Sequence, residues 1–307
     1  MKKVISILMT IALLVVIYSR LSISQVVIHF KGANLIYVTV AFVLLFAIYL
    51  IRALRWQFIL GKSNQIRYNQ LFQMTLAAST LNMLLPSKIG DFSKAYFCHH
   101  QKCKINNSRV VSSIVLERVF DIVGLILVML SGILFIENTS SWVDSTLILA
   151  IVFLGMFLLL LLISPNNKMI HLLSRWPKIQ DLIKNMFILL SEIKKDKPLL
   201  IKVFLSSIAL WGIVLMQTYC FFLMFNSFVS LALIFGLVPM ALFAGMFPFS
   251  VSGIGVRDAA LIVLFSSYVS AEIVAGVGLC LSLRHVIAAL LGLPLFLKYF
   301  RDNVHQQ

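Results

Sequence analysis

Charged residues are scarce in this chain, and acidic residues are the scarcest. Only 12% of the 307 residues are charged and 61% are hydrophobic, and 11 Asp or Glu stand against 26 Lys or Arg. Soluble domains carry about 25% charged and about 45–50% apolar residues. A water-soluble fold is excluded, because no core of this length could hide so much apolar surface. The net charge of +15 therefore indicates basic cytoplasmic loops of a membrane protein rather than a nucleic-acid partner.

Several common signatures are also missing. The four cysteines are scattered and form no disulfide framework. No Gly-x-x-x-x-Gly-Lys-Ser/Thr sequence is present, which argues against a P-loop and direct use of ATP. No small-x-small cleavage site follows the apolar stretch 4–18. We therefore expect an uncleaved membrane anchor at the N-terminus rather than a signal peptide.

Long apolar runs are abundant, and a helix needs about 20 mainly apolar residues to cross a bilayer. Two runs, 70–98 and 231–268, are interrupted by proline and glycine at Pro86 and Gly90 and at Pro248, Gly253 and Gly255. Unpaired backbone at membrane depth must line protein or a water-filled cavity, so these runs are predicted to be re-entrant hairpins of broken helices. The fold class is all-α, a polytopic integral membrane protein with residues 1–307 in a single membrane domain. About six crossings are predicted, at 4–20, 34–51, 110–136, 146–164, 199–225 and 273–297.

The distribution of Lys and Arg orients this topology. If the N-terminus is cytoplasmic and each hairpin returns to its own side, the basic run from Lys168 to Lys202 is cytoplasmic. The only basic residues left on the outside are then Arg20 and Lys31. We therefore predict the cell inner membrane, with both termini cytoplasmic. Segment 165–198 alternates apolar and basic residues at helical spacing. It is predicted to be an amphipathic linker on the inner leaflet, with a solvated connecting helix as the alternative.

The order span, hairpin, span occurs twice, in units 34–136 and 199–297. A span with one arginine, Arg118 or Arg284, follows each hairpin at a similar distance. The two hairpins enter from opposite sides in the predicted topology, so the units form an inverted repeat. Transporters of this build bind substrate near the bilayer midplane between broken helices.

Charged residues inside the predicted membrane regions carry the functional hypothesis. Such charges are costly in hydrocarbon and need a partner or a wet cavity. One reading is structural pairing between helices. The other is an anion site, because arginine forks suit phosphate. In that reading the acids gate the hairpins or carry protons. The candidate substrate-binding residues are Lys88, Lys94, Arg118, Arg257 and Arg284, and the candidate gating or proton-coupling residues are Asp91, Glu117, Asp121 and Asp258.

Two other groups favour a simpler interpretation. Arg52, Arg55 and Trp56 end a predicted span, where they are expected to lie at the cytoplasmic interface with snorkelling side chains. The run Cys98 to Cys103 contains two cysteines and two histidines, but its spacing is not that of a usual zinc site. We predict no metal and no cofactor.

Four motifs together resemble one known family over nearly the whole chain. They are Arg52-x-x-Arg55-Trp56, the segment from Asn82 to Asp91, Glu117-Arg118-Val119-Phe120-Asp121, and the segment from Pro248 to Asp258. They resemble the lysylphosphatidylglycerol synthase transmembrane-region family, also called flippase-like domain proteins. Fused members of that family join a lipid-flipping membrane domain to a soluble aminoacyl-transferase domain. The chain ends at Gln307, directly after the last predicted span, so we expect a stand-alone member without that domain.

The resemblance implies movement of a lipid or lipid-linked head group. The leading hypothesis is translocation of an anionic head group, phospholipid or polyprenyl-phosphate-linked, by alternating access between the two hairpins. The first alternative is a membrane-embedded lipid-modifying transferase, although no Asp-rich motif is present. The second is a non-transporting accessory subunit that binds lipid-synthesis enzymes. A membrane lipid is the expected partner in each case.

Overall fold

The apolar runs form helices, and every regular element in the described part of the chain is helical. The computed structural model describes residues 10, 14–15, 19, 21–61, 66–101, 103, 105–136, 141–162, 176–246 and 253–304. A 3-10 helix, Pro86–Phe92, lies between α3 and α4. The α-helices are α1 Ile23–Lys31, α2 Leu35–Leu60, α3 Tyr68–Leu84, α4 Ser93–His100, α5 Asn107–Ile133, α6 Ser141–Leu162, α7 Pro177–Lys195, α8 Lys197–Met224, α9 Leu231–Ala244, α10 Val256–Phe265 and α11 Ala271–Val304.

Three of these helices are long and apolar enough to cross a membrane. They are α2, α8 and residues Ala271–Arg301 of α11. Shorter apolar stretches are found in α9 and in residues Leu147–Leu159 of α6. The all-helical membrane fold is thus confirmed, and the number of crossings stays a prediction. Most of the predicted first crossing, 4–20, lies outside the described residues.

The helices break where proline and glycine interrupt the two hairpin sequences. α3 gives way to the 3-10 helix that begins at Pro86. A Cβ at Gly90 would lie 2.4 Å from a backbone nitrogen of α3, so only glycine fits this turn. In the second stretch α9 ends before Gly253, which has a φ of 77°, in the left-handed region that favours glycine. Pro248 lies outside the described residues. The return of each stretch to its own side of the membrane stays a prediction.

Each half of the chain packs its broken stretch on the last helix of the other half, an arrangement here called exchanged packing. α2 packs along α8, α3 along α11, and α5 along α9. The α3–α11 contact is close, since the Ser79 hydroxyl donates to the carbonyl of Ala288 at 2.7 Å and the Thr80 hydroxyl to that of Ala289 at 2.9 Å. A Cβ at Gly292 would lie only 2.1 Å from an α3 carbonyl oxygen. The broken stretch of each half therefore lies on the last helix of the other half.

Helix α7 accounts for the described part of the predicted linker 165–198. Its apolar residues Phe187, Leu190 and Ile193 are buried among α2, α5, α6 and α8. The Arg109 guanidinium and the Glu192 carboxylate form an ion pair at 2.5 Å that joins α7 to α5. One face of this amphipathic helix is therefore docked on the bundle.

Candidate functional site: an arginine-lined cavity

A cavity of about 220 Å³ opens near the middle of the bundle. Its wall combines residues from the central parts of α2, α5, α8 and α11 with residues on both sides of the break between α9 and α10. Much of the lining is apolar or aromatic. Within the described part of the chain, the charged lining residues are Arg52, Arg118, Arg257 and Arg284 with a single carboxylate, Asp121. The cavity wall therefore has an excess of positive charge.

Helix α2 carries Arg52 into the cavity because it continues well beyond that residue. The helix ends at Leu60 with Gly61 as its cap, and Gly61 has a φ of 78° that favours glycine. Arg52 is half-buried, and its guanidinium lies 5.4 Å from the centre of the Tyr49 ring. Such a cation–π contact orients the side chain but leaves its charge uncompensated. Within the described residues no carboxylate pairs with Arg52.

Arg284 on α11 is held by a neutral group. Its Nη1 donates to the side-chain oxygen of Gln217 at 3.0 Å, and the Gln217 amide in turn donates to the carbonyl of Ala41 at 2.7 Å. Arg284 is 9% exposed, and Arg257 and Arg52 both repel its charge. In the described part of the chain no acid offsets that charge. A guanidinium has five N–H donors, so most of its bonding capacity is available.

Next to the cavity, and sharing Arg118 and Asp121 with its wall, lies an alternating chain of six charged side chains, here called the buried charge network. Its members are Lys94, Glu117, Arg55, Asp121, Arg118 and Asp91. The Lys94 ammonium donates to Glu117 at 2.9 Å, and Arg55 donates to Glu117 at 3.2 Å and to Asp121 at 2.6 Å. Arg118 then donates to Asp121 at 2.9 Å and pairs with Asp91.

The network is neutral, because three cations face three acids. It joins α2 and α5 to the 3-10 helix and α4, which belong to the first broken stretch. Arg55 and Lys94 are almost fully enclosed by protein, at 0% and 1% exposure. The Lys94 ammonium also lies 4.8 Å from the centre of the Trp56 ring. Buried charges of this kind are tolerated only when they are paired.

Arg257 has its own acid at the start of α10. Its Nε and Nη2 donate to one Asp258 oxygen at 2.9 Å and 2.6 Å, and Nη2 also donates to the carbonyl of Gly278 and to the Ser282 hydroxyl. The other Asp258 oxygen accepts from the backbone N–H of Gly255 at 3.1 Å. The pair thus fastens the second broken stretch to α11, with Arg257 on the cavity wall.

The structure brings together three of the five predicted cations. Arg118, Arg257 and Arg284 line one cavity. Lys94 is not on its wall but is enclosed in the network. The backbone of Lys88 lies in the 3-10 helix, and its side chain is outside the described residues. Among the predicted acids Asp121 lines the cavity, while Asp91, Glu117 and Asp258 are engaged in ion pairs. The role of each stays a prediction.

The prediction of interfacial, snorkelling side chains at the end of α2 is wrong for Arg55 and Trp56. Both have 0% exposure, and the Trp56 indole donates to the Ser113 hydroxyl at 3.0 Å. Two sequence signals could have found this site. Gly61 is a helix-stop residue well beyond Arg52, and Arg52 and Arg55 are three apart, so they share a helix face.

A helical bundle with membrane-length apolar helices and a cationic interior defines a polytopic membrane protein. The chain belongs to the Lysylphosphatidylglycerol synthase TM region family, whose model matches residues 3–292. This membership assigns the protein to the membrane and to a lipid-related function. Comparisons with curated proteins and with solved structures gave no significant match.

Proposed function

We propose that this protein translocates the anionic head group of a lipid across the cytoplasmic membrane. The observation that carries the proposal is the cavity wall, whose described residues include four arginines and a single carboxylate. Two of these arginines, Arg52 and Arg284, have no acidic partner among the described residues; Arg52 contacts the Tyr49 ring and Arg284 the Gln217 amide. The planar fork of an arginine matches the geometry of a phosphate group, the anion that lipid head groups carry.

Energetics favour a substrate site over a purely structural role for these two side chains. Taking an ion out of water costs several kcal/mol unless a counter-charge offsets it. The structural alternative, interhelical pairing, fits Lys94 and Arg55, which contact acids directly. It does not fit Arg284, whose contact is a neutral amide. An anionic head group would supply the missing counter-charge, while the lipid tails stay in the bilayer.

The two broken stretches are suited to act as gates. Residues on both sides of the second break line the cavity, and the first stretch reaches it through the ion pair of Asp91 with Arg118. The exchanged packing of α3 on α11 and of α5 on α9 supports an inverted repeat. In such a repeat the two stretches would open alternately to the two sides. The acids of the network would be released when a head group binds Arg118.

The test is transport by the purified protein in vesicles that contain a labelled anionic lipid. Removing one charge-assisted contact costs about 1.5–3 kcal/mol, so Arg52→Gln and Arg284→Gln should each lower transport about tenfold to a hundredfold. Arg301→Gln is the matched control, because Arg301 is exposed at the end of α11 and should behave as the parent. Parental transport by both cavity variants would refute the site.

The same vesicles separate the proposal from its alternatives. A chemically new lipid in the extract would identify a membrane transferase instead. Neither transport nor a new product, from protein that is correctly folded, would favour an accessory subunit of a lipid-synthesis complex. Head-group translocation by the protein alone supports the proposal.

A further inference from the structure

We infer that the cavity selects a lipid whose head group ends in a phosphate with two negative charges, over a lipid with a singly charged phosphodiester. The inference rests on the proposed function and concerns the same site. It follows from the charge balance of the interior and from the way in which the two unpaired arginines are held.

Among the residues that the structure describes, the cavity and the ion pairs connected to it contain six cations and four acids. The acids are Asp91, Glu117, Asp121 and Asp258, and the cations are Arg52, Arg55, Lys94, Arg118, Arg257 and Arg284. Four of the cations contact an acid directly. The excess of two positive charges therefore belongs to Arg52 and Arg284. Both of these side chains lie on the cavity wall.

Both arginines are positioned by groups that do not neutralise them. The Arg52 guanidinium lies over the face of the Tyr49 ring, and Arg284 donates a hydrogen bond to the uncharged Gln217 amide. Gln217 is itself 1% exposed and fixed by its bond to the carbonyl of Ala41, so it cannot turn away easily. The site therefore fixes two guanidinium groups and keeps their charge available for a ligand.

A terminal phosphate meets this arrangement better than a phosphodiester. A phosphomonoester carries about −1.5 to −2 charges at pH 7 and has three strong acceptor oxygens. A phosphodiester has one negative charge and two free oxygens, so it would leave one of the two arginines uncompensated. Two forked donors can be satisfied together only when enough oxygens are available. The uncompensated guanidinium would lower the affinity of the site for the diester lipid.

The experiment compares two lipids with identical labelled tails in phosphatidylcholine vesicles, phosphatidic acid and phosphatidylglycerol. We expect transport or affinity for phosphatidic acid to be greater by about tenfold to a hundredfold at pH 7.5, the effect of one charge-assisted contact. The preference should shrink at pH 5.5, because the second phosphate ionisation lies near pH 6. Phosphatidylglycerol should show no such pH dependence. Protein-free vesicles correct for spontaneous movement of each lipid.

Variants give the sharper test. Arg52→Gln leaves a single unpaired charge, so the preference for phosphatidic acid should disappear, whereas Arg52→Lys keeps the charge and should retain it at lower affinity. Arg301→Gln should leave the ratio unchanged. If phosphatidylglycerol is transported equally well and Arg284→Gln still impairs transport, the selectivity is refuted and the proposed function stands. If neither lipid is bound or moved, both fail.

Inorganic phosphate, added as a competitor, distinguishes a lipid head group from a soluble ligand. Weak competition at millimolar concentrations is expected, because free phosphate lacks the tails that hold a lipid in the bilayer. Inhibition by free phosphate at the concentration at which the lipid binds would assign the site to a soluble phosphate and overturn the inference.

Discussion

Glu117 is the acid whose loss should damage the buried charge network most. It is 1% exposed and binds both Lys94 at 2.9 Å and Arg55 at 3.2 Å. In Glu117→Gln, Arg55 keeps its 2.6 Å contact with Asp121, but Lys94 loses its only ion-pair partner in the described part of the chain. Removing one partner of a buried ion pair leaves the other charge uncompensated and costs about 3–5 kcal/mol. We expect the free energy of unfolding to fall by that amount.

A double-mutant cycle identifies the cause. Lys94→Met alone should cost less than Glu117→Gln, because Glu117 retains Arg55 and the methionine is apolar. The double variant should be more stable than Glu117→Gln alone, because it removes the unpaired Lys94 ammonium as well as the Glu117 carboxylate. The expected coupling energy is about 1–3 kcal/mol.

The assay is unfolding by SDS in mixed micelles, which reports the free energy of each variant under the same conditions. Glu192→Gln is the matched control, because this acid is 44% exposed and its pair with Arg109 is expected to contribute less than about 1 kcal/mol. The reasoning is refuted if Glu117→Gln is as stable as this control, or if the effects of the two single variants simply add.

Three further outcomes are expected. Gly292→Ala should destabilise the protein by about 1–3 kcal/mol, because a Cβ would lie 2.1 Å from an α3 carbonyl oxygen, whereas Gly212→Ala meets nothing within 4 Å and should be tolerated in the same unfolding assay. A hydrogen bond from the neighbouring thiol lowers the pKa of Cys103, so it should be the first cysteine to react with an impermeant maleimide near neutral pH, and only after cell lysis. A cysteine introduced at Ser270 should instead react in intact cells, and the reverse pattern would invert the predicted orientation. Arg257→Lys keeps the charge but loses the planar fork, so transport in vesicles should fall about tenfold.

The helices could be predicted largely from the sequence, because a membrane helix is a local pattern of apolar residues. The predicted spans 199–225 and 34–51 correspond to α8, Lys197–Met224, and α2, Leu35–Leu60. The first agrees at both ends, but the second stops nine residues early. The predicted span stops before Arg52, because charges are costly in lipid. In the folded protein Arg55 meets Glu117 and Asp121, which lie more than 60 positions away, and no local window contains them.

The candidate site could be predicted only in part for the same reason. The sequence indicates Arg118 and Arg284 because each interrupts the apolar span that follows a hairpin, and it indicates Arg257 because this residue lies next to a Pro/Gly break. The sequence alone places Arg52 at the interface, because its actual environment depends on which helices pack around it. The packing of α3 on α11 was not predicted either. Close contacts in lipid depend on small residues such as Gly292, and small residues are common in every span.

The contact between α3 and α11 also constrains how the protein is made. The hydroxyls of Ser79 and Thr80 meet their α11 acceptors across 209 residues of sequence. At the usual rate of synthesis, α11 emerges roughly 10 to 40 s after α3. During that interval Ser79 has its own helix as a partner, since its hydroxyl also donates to the carbonyl of Leu76 at 2.6 Å. A nascent chain that stalls before α11 would nevertheless expose the face of α3 that carries Ser79 and Thr80 to lipid. Such incomplete chains should therefore be preferred substrates for the proteases that clear unassembled membrane proteins.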